Sequence, residues 1–166
     1  PLQNLASLKQ GSTTSQIPKT ELLVTSSLAL ITLAAAAFMA GVLWVIQVVH
    51  YPLLGEVADD SITKIATKHQ GLITWVVGPV MVVEASSSLL LLFRSPTEAI
   101  VPSLIAFGLL VTAVSVTVFQ AVPLHSKIAA GRADLIPKLV RINWTRTVAW
   151  TLRVPFGTIV AYQVLN

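Results

Sequence analysis

Four stretches of the chain, about residues 22–49, 72–93, 99–122 and 142–165, are predominantly apolar and each is 20 or more residues long. A hydrocarbon core of roughly 30 Å is crossed by about 20 helical residues. Inside it every backbone N–H and C=O must be satisfied within its own segment, which leaves helices as the solution for such long runs. The expected fold is therefore all-α, a four-transmembrane-helix bundle over residues 22–166, preceded by a polar, Ser/Thr/Gln-rich flexible tail over 1–21. Only 11% of residues are charged, against about 25% in an average soluble domain. The net charge of +4 is spread over loops and tail and suits phospholipid headgroups, with no nucleic-acid partner expected. There is no cysteine, which excludes disulfides and thiolate metal sites.

Between the spans, residues 53–70 and 126–140 are polar connectors with scattered apolar positions, read as short interfacial helices in the 1–2 and 3–4 connections. Pro52 disfavours continuation of the first helix through it, and Pro79 is a kink candidate in the second span. The 2–3 connection around Arg94-Ser95-Pro96 is a tight turn. The run from Gln47 to Leu53 resembles that from Gln120 to His125, a faint internal repeat of helical hairpins.

Spans that alternate in direction bring the end of span one, the start of span two, the end of span three and the start of span four to one side. That side collects Gln47, His50, His69, Gln120, His125, Asn143 and Arg146, including all three histidines of the chain. These residues, with Trp150, are expected to line a shared ligand-binding cavity, with His69 at its rim. The connectors there carry Lys64, Lys68, Lys127, Arg132, Lys138 and Arg141, against Lys9, Lys19 and Arg94 opposite. The positive-inside rule then puts the polar site on the cytoplasmic-type face and both termini across the membrane.

Asn143, Arg146, Trp150 and Arg153 recur at i, i+3, i+7 and i+10, one face of a helix. An arginine at the bilayer centre costs at least roughly 2.5–3.5 kcal/mol, so this face turns toward protein, water or ligand. Glu84 lies about 18 Å along its span from Leu72, and Arg153 about 15 Å along its own from Asn143. Equal depth predicts a buried Glu84–Arg153 ion pair.

Neutral imidazole is a common metal and haem ligand, so His50 and His125 are candidate ligands for a metal, a haem iron or a chlorin magnesium. The same histidines suit general acid–base work, with Asn143 and Arg146 stabilising an oxyanion. An aromatic surround from Trp44, Tyr51, Trp75, Trp144 and Trp150 would fit a quinone-like or polycyclic ligand. Aromatic residues at these positions also serve as ordinary interfacial belt residues.

At Gln47-x-x-His50-Tyr51-Pro52-Leu53, Gln120-x-x-Pro123-Leu124-His125 and Asn143-Trp144-x-Arg146-Thr147-x-x-Trp150-Thr151-x-Arg153, the chain resembles a set of small bacterial four-helix membrane proteins of unknown function, over about residues 28–165. More distantly, the four-span layout and the Asn/Arg/Trp-bearing last helix resemble the anthrone-oxygenase-like membrane proteins. That likeness implies oxygen chemistry on polycyclic phenols. Three functions are expected from these readings. The first is a small integral subunit of a larger membrane complex, redox or photosynthetic, holding a ligand, cofactor or lipid alongside other membrane subunits. The second is a membrane enzyme of the anthrone-oxygenase-like kind, and the third a non-catalytic quinone- or lipid-binding protein.

Overall fold

The computed structural model describes residues 18–166, which are helical almost throughout and contain no strand. Helix α1 (Lys19–Val45) passes through a π-helical turn (Ile46–His50) into α2 (Tyr51–Gly55). Helix α3 (Asp59–Arg94) returns. Helix α4 (Ile100–Val116) passes through a second π turn (Thr117–Ala121) into α5 (Val122–Ala129). Helix α6 (Ile136–Leu165) closes the bundle. Of the tail expected over 1–21, residues 1–17 lie outside the described residues, and Lys19 to Glu21 already belong to α1.

Four helical rods, Lys19–Gly55, Asp60–Arg94, Thr97–Ala129 and Ala133–Leu165, are long and apolar enough to cross a membrane. Their outer surfaces carry exposed large apolar side chains such as Leu30, Val82, Leu104 and Ile159. A water-soluble protein rarely exposes so extensive an apolar surface, whereas lipid accepts it. This is a multi-pass membrane protein. The rods run 33 to 37 residues, about 50–55 Å at 1.5 Å per residue, well beyond the hydrocarbon thickness. Lys64, Lys68, Lys127, Lys138 and Arg141 all lie toward the connector end, so the excess length belongs there.

The connectors therefore differ from the expectation. In place of separate interfacial helices, the helices themselves continue and meet at short turns over 56–58 and 130–132. Gly131, at φ +95°, makes the second reversal in a backbone region that disfavours a Cβ. Nor does Pro52 end its helix. Proline lacks an N–H and its ring collides with the carbonyl four residues back, so a straight α-helix cannot absorb it. Widening by one residue does: Tyr51 N–H reaches the carbonyl of Ile46, and Val122 N–H that of Thr117, immediately before Pro52 and Pro123. The sequence likeness around these prolines is thus matched by two π turns at corresponding places. Helices α3 and α6 also run on through Pro79 and Pro155.

Helix α6 packs along both α1 and α4, while α3 packs against α1 and α5, so α3 and α6 stand diagonally. Small residues permit the closest approach. Ala29, Ala35, Ala36 and Ala40 are buried on α1, and Gly157 of α6 faces Leu33, whose Cδ1 would lie 3.4 Å from any added Cβ. Without a hydrophobic drive between helices in lipid, such packing and buried hydrogen bonds hold the bundle.

Candidate functional site

The inward face of α6 carries two polar clusters at different depths. In the deeper one, Arg153 and Glu84 are 1% and 0% exposed, and Arg153 Nε donates to Glu84 Oε1 at 2.8 Å. Trp150 Nε1 donates to Glu84 Oε2 at 2.8 Å. The remaining guanidinium nitrogens donate to Ser88 Oγ at 2.9 Å and to the carbonyl of Ala106. Every nitrogen of Arg153 and both carboxylate oxygens are engaged, and the cluster ties α3, α4 and α6 together across the diagonal. Trp150, expected among the ligand-binding residues, points here; its indole is fully buried against Glu84.

The second cluster lies toward the connectors. Asn143 Nδ2 donates to Gln47 Oε1 at 2.8 Å, and Arg146 Nη1 donates to Asn143 Oδ1 at 2.9 Å. Gln47 Nε2 reaches the carbonyl of Val140 at 3.4 Å. Asn143 is fixed further by Thr147, four residues on, whose hydroxyl donates to the Asn143 carbonyl at 3.0 Å. This chain of amides holds the Arg146 guanidinium from one side. On the other it lies beside the Tyr51 hydroxyl, which is 3.2 Å from His125 Nε2.

The three imidazoles come together from three elements. His50 of the π turn stacks on His69 of α3, with centroids 3.9 Å apart and planes 22° from parallel. The ring of His69 is 5.6 Å from that of His125 on α5. Next to them is a cavity of about 250 Å³, lined by Tyr51, His69, His125 and Arg146 and otherwise mainly by apolar side chains such as Ile46, Ile73, Val77 and Val122. Arg146 is only 5% exposed, and its Nε has no hydrogen-bond partner among the described residues; the same holds for His50 Nε2. Unpartnered buried donors are costly and call for a ligand or water.

Convergence of the expected residues is partial. His69, His125 and Arg146 line the cavity, with His69 in its wall rather than at a distant rim. Gln47 and Asn143 stand behind Arg146 and position it. His50 closes the cavity from outside through His69. Gln120 does not join them: it is exposed on the outer surface, because the π turn that carries it buries Ala121 instead. The tryptophans supply no aromatic surround. Trp44 and Trp144 pair edge to face at 5.6 Å on the outside, where Trp44 Nε1 donates to Thr151 at 3.0 Å. Trp75 is 82% exposed. The aromatic walls are Tyr51 and the histidines. Tyr51 was legible as a site residue from its position four residues after Gln47, on the same helical face.

His50 and His125, the candidate metal or haem ligands, do not face one another directly. His69 intervenes between His50 and His125, and His125 Nε2 already faces Tyr51. Among the described residues no group of three or more His, Asp or Glu side chains is placed to hold a metal ion. Compared with protein-family models, with curated proteins and with solved structures, the chain matches none.

Proposed function

We propose that this protein is a ligand-holding integral membrane protein whose histidine-side cavity takes a small ring compound bearing carbonyl or hydroxyl groups, of the quinone or phenol type. The observation that carries this reading is Arg146, buried, braced by Asn143, and carrying an unpartnered donor in the wall of a cavity whose surface is mostly apolar. A guanidinium is always charged and presents a planar fork of donors, so it suits a carbonyl or phenolate oxygen. The apolar walls suit the ring. The lysine and arginine balance of the connectors supports a cytoplasmic-type orientation for this end.

The test is binding of a tail-less quinone, 2,3-dimethoxy-5-methyl-1,4-benzoquinone, to the purified protein in nanodiscs by calorimetry. Arg146→Lys keeps the charge and loses the fork, and should weaken binding about tenfold or more, since a hydrogen bond to a charged group is worth roughly 1.5–3 kcal/mol. Unchanged affinity in Arg146→Lys and Arg146→Met, or no binding by the native chain, overturns the reading. Native mass in mild detergent separates a subunit of a larger assembly, which carries other chains with it, from a stand-alone carrier. One observation favours catalysis as a second reading: the Tyr51–His125 contact beside Arg146 is an acid–base pair at the wall of the same cavity. Turnover of an added polycyclic phenol, lost in Tyr51→Phe, would support it.

A further inference from the structure

The polar cavity has a neighbour on the lipid side. A groove of about 560 Å³ runs along α1 and α3 from Phe38 past Gly41 and Val45 to His50 and His69, and its lining is apolar except for the two histidines. Three side chains, Ile46, His69 and Ile73, wall both spaces. What separates the groove from the cavity includes these side chains, with His50 stacked on His69 from the groove side, between α1 and α3. From Phe38 to His50 the groove extends about 18 Å at 1.5 Å per residue. One end lies within the apolar span, and the other lies at the level of the charged connectors.

We propose that the ligand is a single-tailed amphiphile, a quinone whose ring sits against Arg146 and whose long hydrocarbon tail lies in the α1/α3 groove, entering sideways from the bilayer past the His50–His69 pair. This rests on the ring-binding reading above and adds the tail, its location and the route. An apolar, membrane-facing groove divided by side chains from a cavity with Arg146 in its wall is the geometry such a molecule requires. A phospholipid headgroup fits less well. Among the described residues Arg146 is the one Lys or Arg side chain in the cavity lining, one of its nitrogens already serves Asn143, and most of the wall surface is apolar. His50 Nε2 is buried beside the groove with no hydrogen-bond partner among the described residues, so no bond at that atom ties the stack in place. Side-chain rotation of this kind is fast compared with helix motion.

Gly41 makes the idea testable. An added Cβ there meets nothing within 4 Å, and Gly41 lines the groove, so Gly41→Leu fills groove space from a position with room for its Cβ. Decylubiquinone and its tail-less head, 2,3-dimethoxy-5-methyl-1,4-benzoquinone, are titrated into native and Gly41→Leu protein in nanodiscs. In parallel, a quinone with a diazirine on its tail is photo-crosslinked and the labelled residues are mapped by mass spectrometry. The expected result is a loss of about tenfold in affinity for the tailed quinone in Gly41→Leu, unchanged affinity for the tail-less head, and labelling confined to α1 and α3 around Phe38, Val45 and Ile73. Equal affinity of both proteins for the tailed quinone, or labelling spread over α4 and α6, overturns the groove while leaving the ring site standing. Retention of a phospholipid in the cavity instead of quinone also overturns it. Failure of both compounds to bind native protein removes the ring reading as well.

Discussion

Arg146 and Arg153 sit seven residues apart on the same face of α6, both buried, yet the structure uses them in opposite ways. Arg153 meets a carboxylate, a hydroxyl and a carbonyl, and the space beside its cluster is about 20 Å³, room for about one water. Among the described residues Arg146 meets no acid. It has Asn143 on one nitrogen and no partner on Nε there, and it lines a cavity of about 250 Å³. The difference lies in what stands opposite: Glu84 on α3 faces the first, and histidines and apolar residues face the second. A buried charge with its counter-charge present is a structural cross-link. A buried charge held by neutral amides has no such counter-charge, and the proposed binding site rests on that difference.

The comparison predicts its largest effect at Glu84. Glu84→Gln leaves Arg153 without a counter-charge inside the bundle, and removing one partner of a buried pair costs about 3–5 kcal/mol. Thermal unfolding in detergent should show a large drop in midpoint for Glu84→Gln and for Arg153→Met. The double change Glu84→Leu with Arg153→Met should recover much of that loss, because apolar residues replace both charges. If the double variant is as unstable as the sum of the singles, the pair is not a closed, self-compensating unit and the contrast with Arg146 collapses.

A smaller effect is expected from Arg146→Met. It loses one hydrogen bond, to Asn143, and an unpartnered Nε whose burial is itself unfavourable. The midpoint should therefore fall much less than for Arg153→Met, by no more than about 1–3 kcal/mol in stability, while quinone binding is lost. Equal destabilisation by the two arginine changes would make both structural and would leave the cavity without a function.

Much of this contrast can be read from the chain, and the remainder has identifiable causes. The four spans follow from long apolar runs, and the Glu84–Arg153 pairing follows from depth counting, because helical rise is the same in every span. The inward set of α6 follows from its period. Gln120 was misplaced because counting helix ends assigns a side of the membrane, but not a face of the helix. The face depends on the extra residue that a π turn inserts before Pro123. The extension of the helices past the connectors escaped notice for a related reason. Proline reads as a stop, and only the structure shows α2 and α5 continuing beyond Pro52 and Pro123. The His50–His69 stack depends on how α1 and α3 face each other, which no local pattern encodes.

The smallest predicted effect tests whether environment or geometry makes the deep pair matter. Arg132 and Asp134, at the turn between α5 and α6, also form an ion pair with an N–O distance of 2.8 Å, and it is two-pronged: Nε and Nη2 each donate to one carboxylate oxygen. By geometry it rivals Arg153–Glu84. Its side chains, however, are 62% and 60% exposed, so water solvates both charges whether or not they pair, and salt screens what attraction remains. Arg132→Ala should leave the unfolding midpoint within measurement error at physiological ionic strength, with no gain from lowering the salt beyond a marginal shift. A drop comparable to that of Glu84→Gln would mean that contact geometry rather than burial sets the value of these pairs. The distinction between a closed cross-link at Arg153 and an open site at Arg146 would then have to rest on packing alone.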